Sequence, residues 1–136
     1  MAKLTIIRGL PGSGKTTWAK AQPDAWRVNR DDIRACYTGA WNYSDVTAEN
    51  AVTLLQRSRV KELLGMGRHV IVDDTNLDWK HVQMLVNIAR DIPGVEVEVK
   101  EFLHVPVEVC VERDAARVNP VGREVIMAMY RRYMAD

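Results

Sequence analysis

One segment near the amino terminus combines glycines, a lysine and a hydroxyl residue at a spacing that could hold phosphate. Residues 9–16, GLPGSGKT, fit the pattern G-x-x-x-x-G-K-[ST]. Glycines are needed because the backbone must fold tightly around anionic oxygens with its N–H groups pointing inward, so Gly12 and Gly14 should tolerate no substitution. Lys15 can reach the β- and γ-phosphates, and Thr16 offers a hydroxyl to Mg²⁺. The segment predicts a nucleoside triphosphate site formed by Gly9, Pro11, Gly12, Ser13, Gly14, Lys15, Thr16 and Thr17.

A second segment carries a carboxylate and an arginine that could serve an acceptor. In residues 29–34, NRDDIR, Asp31 and Arg34 are three apart and would share one face of a helix. A carboxylate there can accept the proton of an attacking hydroxyl, while the arginine holds an anionic part of the acceptor. The alternative is an acidic helix start with ordinary surface arginines.

A third segment, residues 70–76, VIVDDTN, has the pattern of an apolar strand that delivers a carboxylate to a metal beside the phosphate loop. Successive side chains at a strand end point to opposite sides, so Asp73 and Asp74 cannot both do this in the same way. The residues leave the choice open. We assign Asp73, with Thr16, to the metal and Asp74 to the acceptor side.

Two arginines near the carboxyl terminus have the spacing of a lid. Arg113 and Arg117 are four apart in a predicted helix and lie within residues 107–122, which end in a Pro and Gly break. Arginines closing over a polyphosphate would neutralise charge on the transferred group. The alternative is a solvated helix face.

The elements that must position these residues alternate along the chain. Apolar segments typical of strands cover residues 4–8, 26–29, 69–73 and 95–103, the last near a sheet edge. Helical patterns cover residues 15–21, 31–36, a long helix capped by Ser44 or Asp45 and ending near Gly65, and residues 79–90, 107–117 and 124–135. This alternation predicts an α/β fold with a parallel sheet and helices on both faces.

Composition restricts the class of protein. The chain has 136 residues, 47% hydrophobic and 27% charged, with a net charge of +1, which predicts one soluble globular domain over residues 1–136. No apolar stretch approaches the length of a membrane span or a signal peptide, so we expect a cytoplasmic protein that does not enter membranes. Two cysteines cannot form a disulfide framework, and both are expected to be reduced and structural. A nucleic-acid partner would need a local basic cluster.

Taken in order, these motifs resemble the kinase module of phage-type polynucleotide 5′-hydroxyl kinases, within the P-loop kinase superfamily. The similarity rests on GLPGSGKTTWA, NRDDIR, DDTNLD and the VPVEVCVERDAAR and VIMAMYRRYM segments, and it runs from about Lys3 to Tyr133. The resemblance implies a P-loop kinase-like three-layer αβα sandwich with a mainly parallel sheet and a helical lid at about residues 107–122. It also implies transfer of the γ-phosphate of ATP to the 5′-OH end of DNA or RNA, with Mg²⁺, in nucleic-acid end repair.

The resemblance also implies roles for single residues. Asp31 would be the general base, with Lys15 and Arg117 as further catalytic residues. Arg34, Asp74 and Thr75 would contact the acceptor. The remaining donor contacts would come from lid residues, namely Arg113, Arg117 and Val121, the last packing against adenine.

The chain lacks the DxDGT motif of the phosphatase domain in bifunctional members, so no phosphatase activity is expected. Two other functions stay open: a small-molecule P-loop kinase acting on a sugar, nucleoside or antibiotic hydroxyl, and a nucleotide switch that is not a kinase.

Aromatic and basic residues outside these motifs suggest how a polynucleotide end could be held. Tyr37, Trp41 and Tyr43 follow the NRDDIR segment and could stack on bases, or could anchor a long connection to the core. Trp18 and Trp26 are expected in the core. The cations of the acceptor groove would be Arg30, Arg34 and Lys80.

Overall fold

A computed structural model describes residues 2–39 and 45–135. One helix follows each of the first and third strands, and two helices follow each of the second and fourth. In chain order the elements are β1 (Lys3–Arg8), α1 (Lys15–Lys20), β2 (Ala25–Val28), α2 (Arg30–Thr38), α3 (Val46–Gly65), β3 (His69–Asp73), α4 (Trp79–Arg90), β4 (Glu96–Glu101), α5 (Val107–Ala115) and α6 (Arg123–Tyr133).

The four strands form one parallel sheet in the order β2-β3-β1-β4. The central strand β1 pairs with β3 on one side and β4 on the other, with Leu4 opposite Val70 and Val97. Because the strands are parallel, their carboxyl ends lie at one edge of the sheet, where open α/β sheets bind ligands. The predicted α/β fold class is confirmed.

Helices cover both faces of the sheet. On one face, α3 and α4 pack against side chains such as Leu4, Ile6 and Val72 of the central strands. On the other face, α1 packs against Ile7 and Ile71. The helices α5 and α6 form a smaller core with the start of the phosphate loop. This burial of apolar surface on both faces fixes the loops at the carboxyl edge of the sheet.

Several helix and strand ends differ from the sequence prediction. Helix α5 ends at Ala115 and not at Arg117, and α2 extends from Arg30 to Thr38. Asp45 is the N-cap of α3, where its side chain accepts a hydrogen bond from the Ala48 N–H at 2.7 Å. The other capping candidate, Ser44, lies outside the described residues.

The expectation that Trp26 belongs to the core is wrong. Its strand, β2, is a sheet edge of four residues, and the side chain is 51% exposed beside the guanidinium of Arg68. Trp18 does pack into the core, edge-on to Phe102 with ring centroids 6.3 Å apart. Cys110 is buried, whereas Cys36 is exposed, and both are free thiols. No helix in the described part of the chain is long and apolar enough to cross a membrane.

Candidate nucleotide and acceptor site

A cleft of about 1140 Å³ opens at the carboxyl edge of the sheet. It brings together residues that are far apart in the sequence, from the phosphate loop, the start of α2, the end of β3 and the segment between α5 and α6. Of the residues predicted for the site, those lining the cleft are Pro11, Gly12, Gly14, Lys15, Thr16, Thr17, Asp31, Arg34, Asp73, Asp74, Thr75, Arg113, Arg117 and Val121.

The other two predicted residues, Gly9 and Ser13, belong to the phosphate loop but do not line the cleft. The Ser13 side chain is buried, and its hydroxyl has no hydrogen-bond partner within the described residues. A Cβ on Gly9 would lie 2.7 Å from the Ser13 Oγ, so the loop packs tightly on itself there. These residues can contribute to a ligand through backbone groups, not through side chains.

The conformation of the phosphate loop requires its glycines. Gly12 has φ +82° and Gly14 has φ +99°, both in the left-handed region that favours glycine. A Cβ on Gly12 would lie 2.3 Å from the carbonyl oxygen of Cys110 in α5. Gly12 is therefore constrained by its own backbone and by the helix that packs against it.

Lys15 folds back onto the loop that carries it. Its Nζ donates hydrogen bonds to the carbonyl oxygens of Gly9 and Leu10 at 2.8 and 2.9 Å. Burial lowers the pKa of Lys15 to about 8, against the opposing effect of the carboxylates of Asp73 and Asp74. The ammonium group is thus partly desolvated, and an incoming phosphate would meet a cation with little competing hydration.

Thr16 and Asp73 form a pair of hard oxygen donors. The Thr16 hydroxyl donates to Asp73 Oδ2 at 3.0 Å, and the buried Asp73 Oδ1 has no hydrogen-bond partner in the described part of the chain. The guanidinium of Arg27 lies on the same carboxylate, with Nε 3.0 Å from Oδ2. A hydroxyl and a free carboxylate oxygen suit Mg²⁺, which is usually held by one or two carboxylates together with substrate phosphates. No group of three His, Cys, Asp or Glu residues that could hold a metal occurs among the described residues.

Asp74 points to the opposite side of the strand end. Its two carboxylate oxygens accept hydrogen bonds from the Arg30 backbone N–H at 2.9 Å and from Gln56 Nε2 at 2.6 Å. Burial raises the pKa of Asp74 to about 6 despite these donors. The carboxylate connects β3 to the start of α2 and to α3, whereas Asp73 faces the phosphate loop.

Asp31 and Arg34 contact each other across one turn of α2. Arg34 Nη1 donates to Asp31 Oδ1 at 2.5 Å, and the Asp31 side chain is 54% exposed to the cleft. Within residues 2–39 and 45–135, no donor reaches Asp31 Oδ2. Partial burial raises the pKa of Asp31, and the nearby guanidinium groups of Arg34 and Arg117 oppose the rise.

A polar stripe on α3 holds the arginines of α2 that border the cleft, and the sequence analysis missed it. Glu49, Thr53 and Gln56 recur at helical spacing, four and three residues apart. Glu49 accepts two hydrogen bonds from Arg34, which lower the Glu49 pKa, and Thr53 accepts one from Arg30 at 2.9 Å. The detectable signal was the spacing of these polar residues, with Gln56 on the same buried face as Val52 and Val60.

The loop that contains Thr75 is fixed by a backbone hydrogen bond of Thr75 and by side-chain hydrogen bonds of its neighbours. Its carbonyl oxygen accepts a hydrogen bond from the Gly9 N–H at 3.0 Å. The next residue, Asn76, has φ +44° and donates through its side chain to the Ile7 carbonyl at 2.8 Å. The buried Arg8 in turn donates to the Asn76 carbonyl at 2.9 Å. Asn76 and Arg8, neither of which was predicted, thus fix the loop that presents Thr75.

Asp114 determines the position of the lid residue Val121, and it too was missed. Its buried carboxylate accepts hydrogen bonds from the backbone N–H groups of Val121 and Gly122, both at 2.9 Å. Arg117 lies 3.5 Å from the same carboxylate, and Arg113 Nη1 reaches the Gly12 carbonyl at 3.5 Å. Both predicted lid arginines line the cleft, and Arg113 contacts the phosphate loop directly.

The other residues suggested for a polynucleotide differ in their placement. Tyr37 is 61% exposed and accepts a hydrogen bond from Arg59 at 3.0 Å, whereas Trp41 and Tyr43 lie outside the described residues. Lys80 is exposed at the start of α4 and does not line the cleft, so its part in holding an acceptor stays a prediction.

Comparison with known proteins places this site in a family. The family model described as the AAA domain matches residues 4–135. A putative bifunctional polynucleotide kinase/RNA ligase of Autographa californica nuclear polyhedrosis virus is 25% identical over 97% of this chain. An L-seryl-tRNA(Sec) kinase of Methanococcus maripaludis is 30% identical over 96% of this chain. The chain spans 21% and 52% of the length of these two relatives.

Three solved structures are also similar to this chain. A chain in the structure of the Pnkp1/Rnl/Hen1 RNA repair complex matches with a TM-score of 0.79 and 28% sequence identity. The match covers 97% of this chain and 44% of that chain. A second structure of a Pnkp1/Rnl/Hen1 complex gives a TM-score of 0.72 and 32% identity over 87% of this chain and 40% of that chain. A gluconokinase from Sinorhizobium meliloti has a TM-score of 0.61 at 19% identity over 98% of this chain and 75% of that chain, which indicates a shared fold.

Proposed function

The chain belongs to the AAA domain family, and from that premise we propose that it is an ATP- and Mg²⁺-dependent kinase acting on the 5′-hydroxyl end of a polynucleotide. The observation that carries the proposal is the shared cleft. The phosphate loop lies on one side of it, and the Asp31–Arg34 pair lies on the other. Relatives described as a polynucleotide kinase/RNA ligase and as parts of an RNA repair complex support this acceptor class.

The donor half of the reaction uses the phosphate loop and the lid. Backbone N–H groups of the loop and the amino end of the following helix would hold the β- and γ-phosphates, with Lys15 turning from its own carbonyls toward them. Arg113 and Arg117 would neutralise charge on the transferred group. Thr16 and Asp73 would hold Mg²⁺, which when bound neutralises phosphate charge. Val121, fixed by Asp114, would pack against the base of the nucleotide.

The acceptor half uses Asp31 and Arg34. Arg34 holds the carboxylate through Oδ1, and Oδ2 would accept the proton of the 5′-hydroxyl. The 5′ oxygen forms a bond to the γ-phosphorus while the bond from the γ-phosphorus to the bridging oxygen of ADP breaks. The guanidinium of Arg34, fixed by Glu49, would meet the first phosphate of the acceptor strand, with Thr75 and Asp74 lining its path.

The test is an acceptor assay with labelled ATP. A 5′-OH oligonucleotide should gain phosphate, and Asp31→Asn should reduce the transfer by about 10² or more, because the amide cannot accept the proton. Nucleotide affinity, measured by calorimetry with a non-hydrolysable ATP analogue, should stay within about threefold of the parent. Transfer by Asp31→Asn near the parental rate would remove Asp31 from its role.

A second acceptor class is favoured by one observation. The relative described as an L-seryl-tRNA(Sec) kinase has higher sequence identity, 30%, than the polynucleotide kinase relative, 25%. The same assay should therefore include seryl-tRNA and a panel of sugars and nucleosides. If seryl-tRNA or a small molecule gains phosphate and the oligonucleotide does not, the protein is still a phosphotransferase but its acceptor is a different one.

A further inference from the structure

A second cavity, of about 350 Å³, lies between β2, α2 and the carboxyl-terminal half of α3. Apolar side chains form much of its wall, including Val28, Ile33 and Leu63, and its mouth carries Met66 and Trp26, which are 72% and 51% exposed. This volume lies within the range of pockets that take small ring systems. Exposed aromatic and sulfur-containing side chains at such a mouth are unusual on a surface without a partner.

Each exposed ring near this cavity is paired with an arginine. The Arg68 guanidinium lies 5.8 Å from the Trp26 ring centroid. Arg59, which lines the cavity, lies 5.5 Å from the Tyr37 ring and donates to its hydroxyl. Aromatic rings for stacking, combined with guanidinium groups for the backbone, are how proteins grip single-stranded nucleic acid without reading its sequence.

The cavity is also lined by two carboxylates, those of Asp32 and Glu62, which limit the ligand, and Asp32 is paired with Arg27 at 3.2 Å. Glu62 lies in the wall beside Leu63. A carboxylate repels a phosphate or sulfate but accepts hydrogen bonds from the amino and imino groups of a nucleobase. The cavity chemistry thus suits a base, and the guanidinium groups of Arg59, in the cavity wall, and Arg68, beside Trp26, can meet flanking phosphates.

The cavity adjoins the cleft, with which it shares three lining residues. Arg27, Asn29 and Asp32 line both spaces, and Asp32 directly follows the proposed base Asp31 in the chain. We infer that this cavity is a second subsite for the acceptor strand, in which a base downstream of the 5′ end stacks on Trp26. The inference rests on the proposed function, since it extends the same acceptor away from Asp31.

The test compares a long and a minimal acceptor. Trp26→Ala should raise the KM for a single-stranded 5′-OH decanucleotide about tenfold, because stacking on one ring is lost. The same substitution should leave kcat unchanged for both acceptors. It should also leave the KM for a nucleoside 3′-monophosphate unchanged, since that acceptor is too short to extend from Asp31 to Trp26. Trp26→Phe, which keeps a stacking ring, should restore most of the affinity for the decanucleotide.

Charge is tested by a matched pair on one helix. Arg59→Gln should raise the decanucleotide KM several fold, whereas Arg57→Gln, which removes the same charge from an exposed position two residues away, should leave it unchanged. Equal effects of the two substitutions would indicate a general electrostatic contribution and overturn the subsite.

Photo-crosslinking of the unaltered protein decides the question independently of any variant. A decanucleotide with 5-iodouracil at internal positions should label the peptide that contains Trp26 or Tyr37, and label confined to other peptides would overturn the inference. If the parent protein phosphorylates the decanucleotide and Trp26→Ala does not change the KM, the subsite is overturned but the proposed function is not. The exposed face around Trp26 would then be a contact surface for a protein partner. No transfer to either acceptor by the parent protein would instead refute the proposed function, and the inference with it.

Discussion

At the scale of the residue, Lys15 has a charge that depends on its surroundings. Burial lowers its pKa to about 8, so the free protein loses this cation as the pH rises through that value. Because a polyphosphate binds the charged form, we expect the affinity for a non-hydrolysable ATP analogue to fall by about tenfold for each pH unit above 8. Calorimetric titrations at pH 7, 8 and 9 measure this directly.

The control for that prediction is Lys15→Met, which lacks the titrating group. It should bind the analogue weakly at every pH, with a flat profile over the same range. A parental affinity that stays constant between pH 7 and 9 would contradict the assignment of Lys15 to the phosphates.

Gly12 is the second residue whose substitution has a definite expected result. Gly12→Ala places a Cβ 2.3 Å from the Cys110 carbonyl at a φ of +82°, so either the loop or α5 must move. We expect a loss of at least about 2 kcal/mol in the free energy of unfolding, together with loss of nucleotide binding. Urea denaturation and calorimetry provide the two measurements.

Gly65 provides a matched control. It ends α3, a Cβ added there would meet no described atom within 4 Å, and its φ is not positive. Gly65→Ala should therefore leave nucleotide binding unchanged and alter stability by no more than about 1 kcal/mol, in the stabilising direction. If Gly12→Ala and Gly65→Ala lose the same amount of stability and nucleotide binding, the geometry of the phosphate loop does not explain the effect of Gly12→Ala.

At the scale of the element, the connection between α5 and α6 depends on one buried carboxylate. Asp114→Ala would leave the N–H groups of Val121 and Gly122 without their acceptor. We expect a loss of about 2–4 kcal/mol in the free energy of unfolding and a higher KM for ATP, because Val121 would no longer be held at the cleft. Urea denaturation and initial-rate kinetics test both parts.

The contrasting substitution lies on the same helix. Glu108 makes an exposed ion pair with Arg123, at 3.0 Å, with side chains 64% and 58% exposed. Glu108→Ala should cost less than about 1 kcal/mol and leave the KM for ATP unchanged, since exposed pairs contribute little. A Glu108→Ala effect as large as that of Asp114→Ala would show that the α5–α6 unit is sensitive to any lost charge.

The order and type of the elements were predictable because each is encoded locally. The apolar strand at residues 69–73 and the N-cap Asp45 followed by a helix are visible in the sequence itself. Helix ends were less predictable: α5 stops at Ala115, and the Asp114 side chain just before this end accepts a hydrogen bond from a backbone N–H of the next segment. That partner, Val121, is seven residues away, and no local propensity indicates it.

At the scale of the whole molecule, Asp74 couples folding to pH. Its folded-state pKa, raised to about 6, means that the folded protein holds this proton more tightly than the unfolded chain does. The contribution to stability is therefore present at low pH and is lost as the pH rises through about 6. Asp74→Asn removes the cost of a buried charge, so it should raise the free energy of unfolding at pH 8 by about 1–3 kcal/mol.

The pH dependence of this difference is the decisive measurement. Below about pH 4 both side chains are neutral, so parent and Asp74→Asn should unfold at nearly the same urea concentration. If Asp74→Asn is more stable than the parent by the same amount at low pH, improved packing or hydrogen bonding explains the added stability, and ionisation of Asp74 does not.

The phosphate loop and the α/β alternation could be read from the amino-acid sequence, since both depend on residues that are neighbours in the chain. The sequence also predicted that Asp31 and Arg34 would meet, because three residues make about one helical turn, and they do so at 2.5 Å. The parallel architecture followed from the same local periodicities.

Which groups meet across elements, by contrast, depends on the packed molecule. Packing placed Asp73 on Thr16 and Asp74 on Gln56, and it left Trp26 exposed at a sheet edge. Glu49 likewise reaches Arg34 from a separate helix. These contacts depend on which helix face packs against which strand end, and that choice is made by burial of apolar surface over the whole molecule and not by the spacing of residues within one segment.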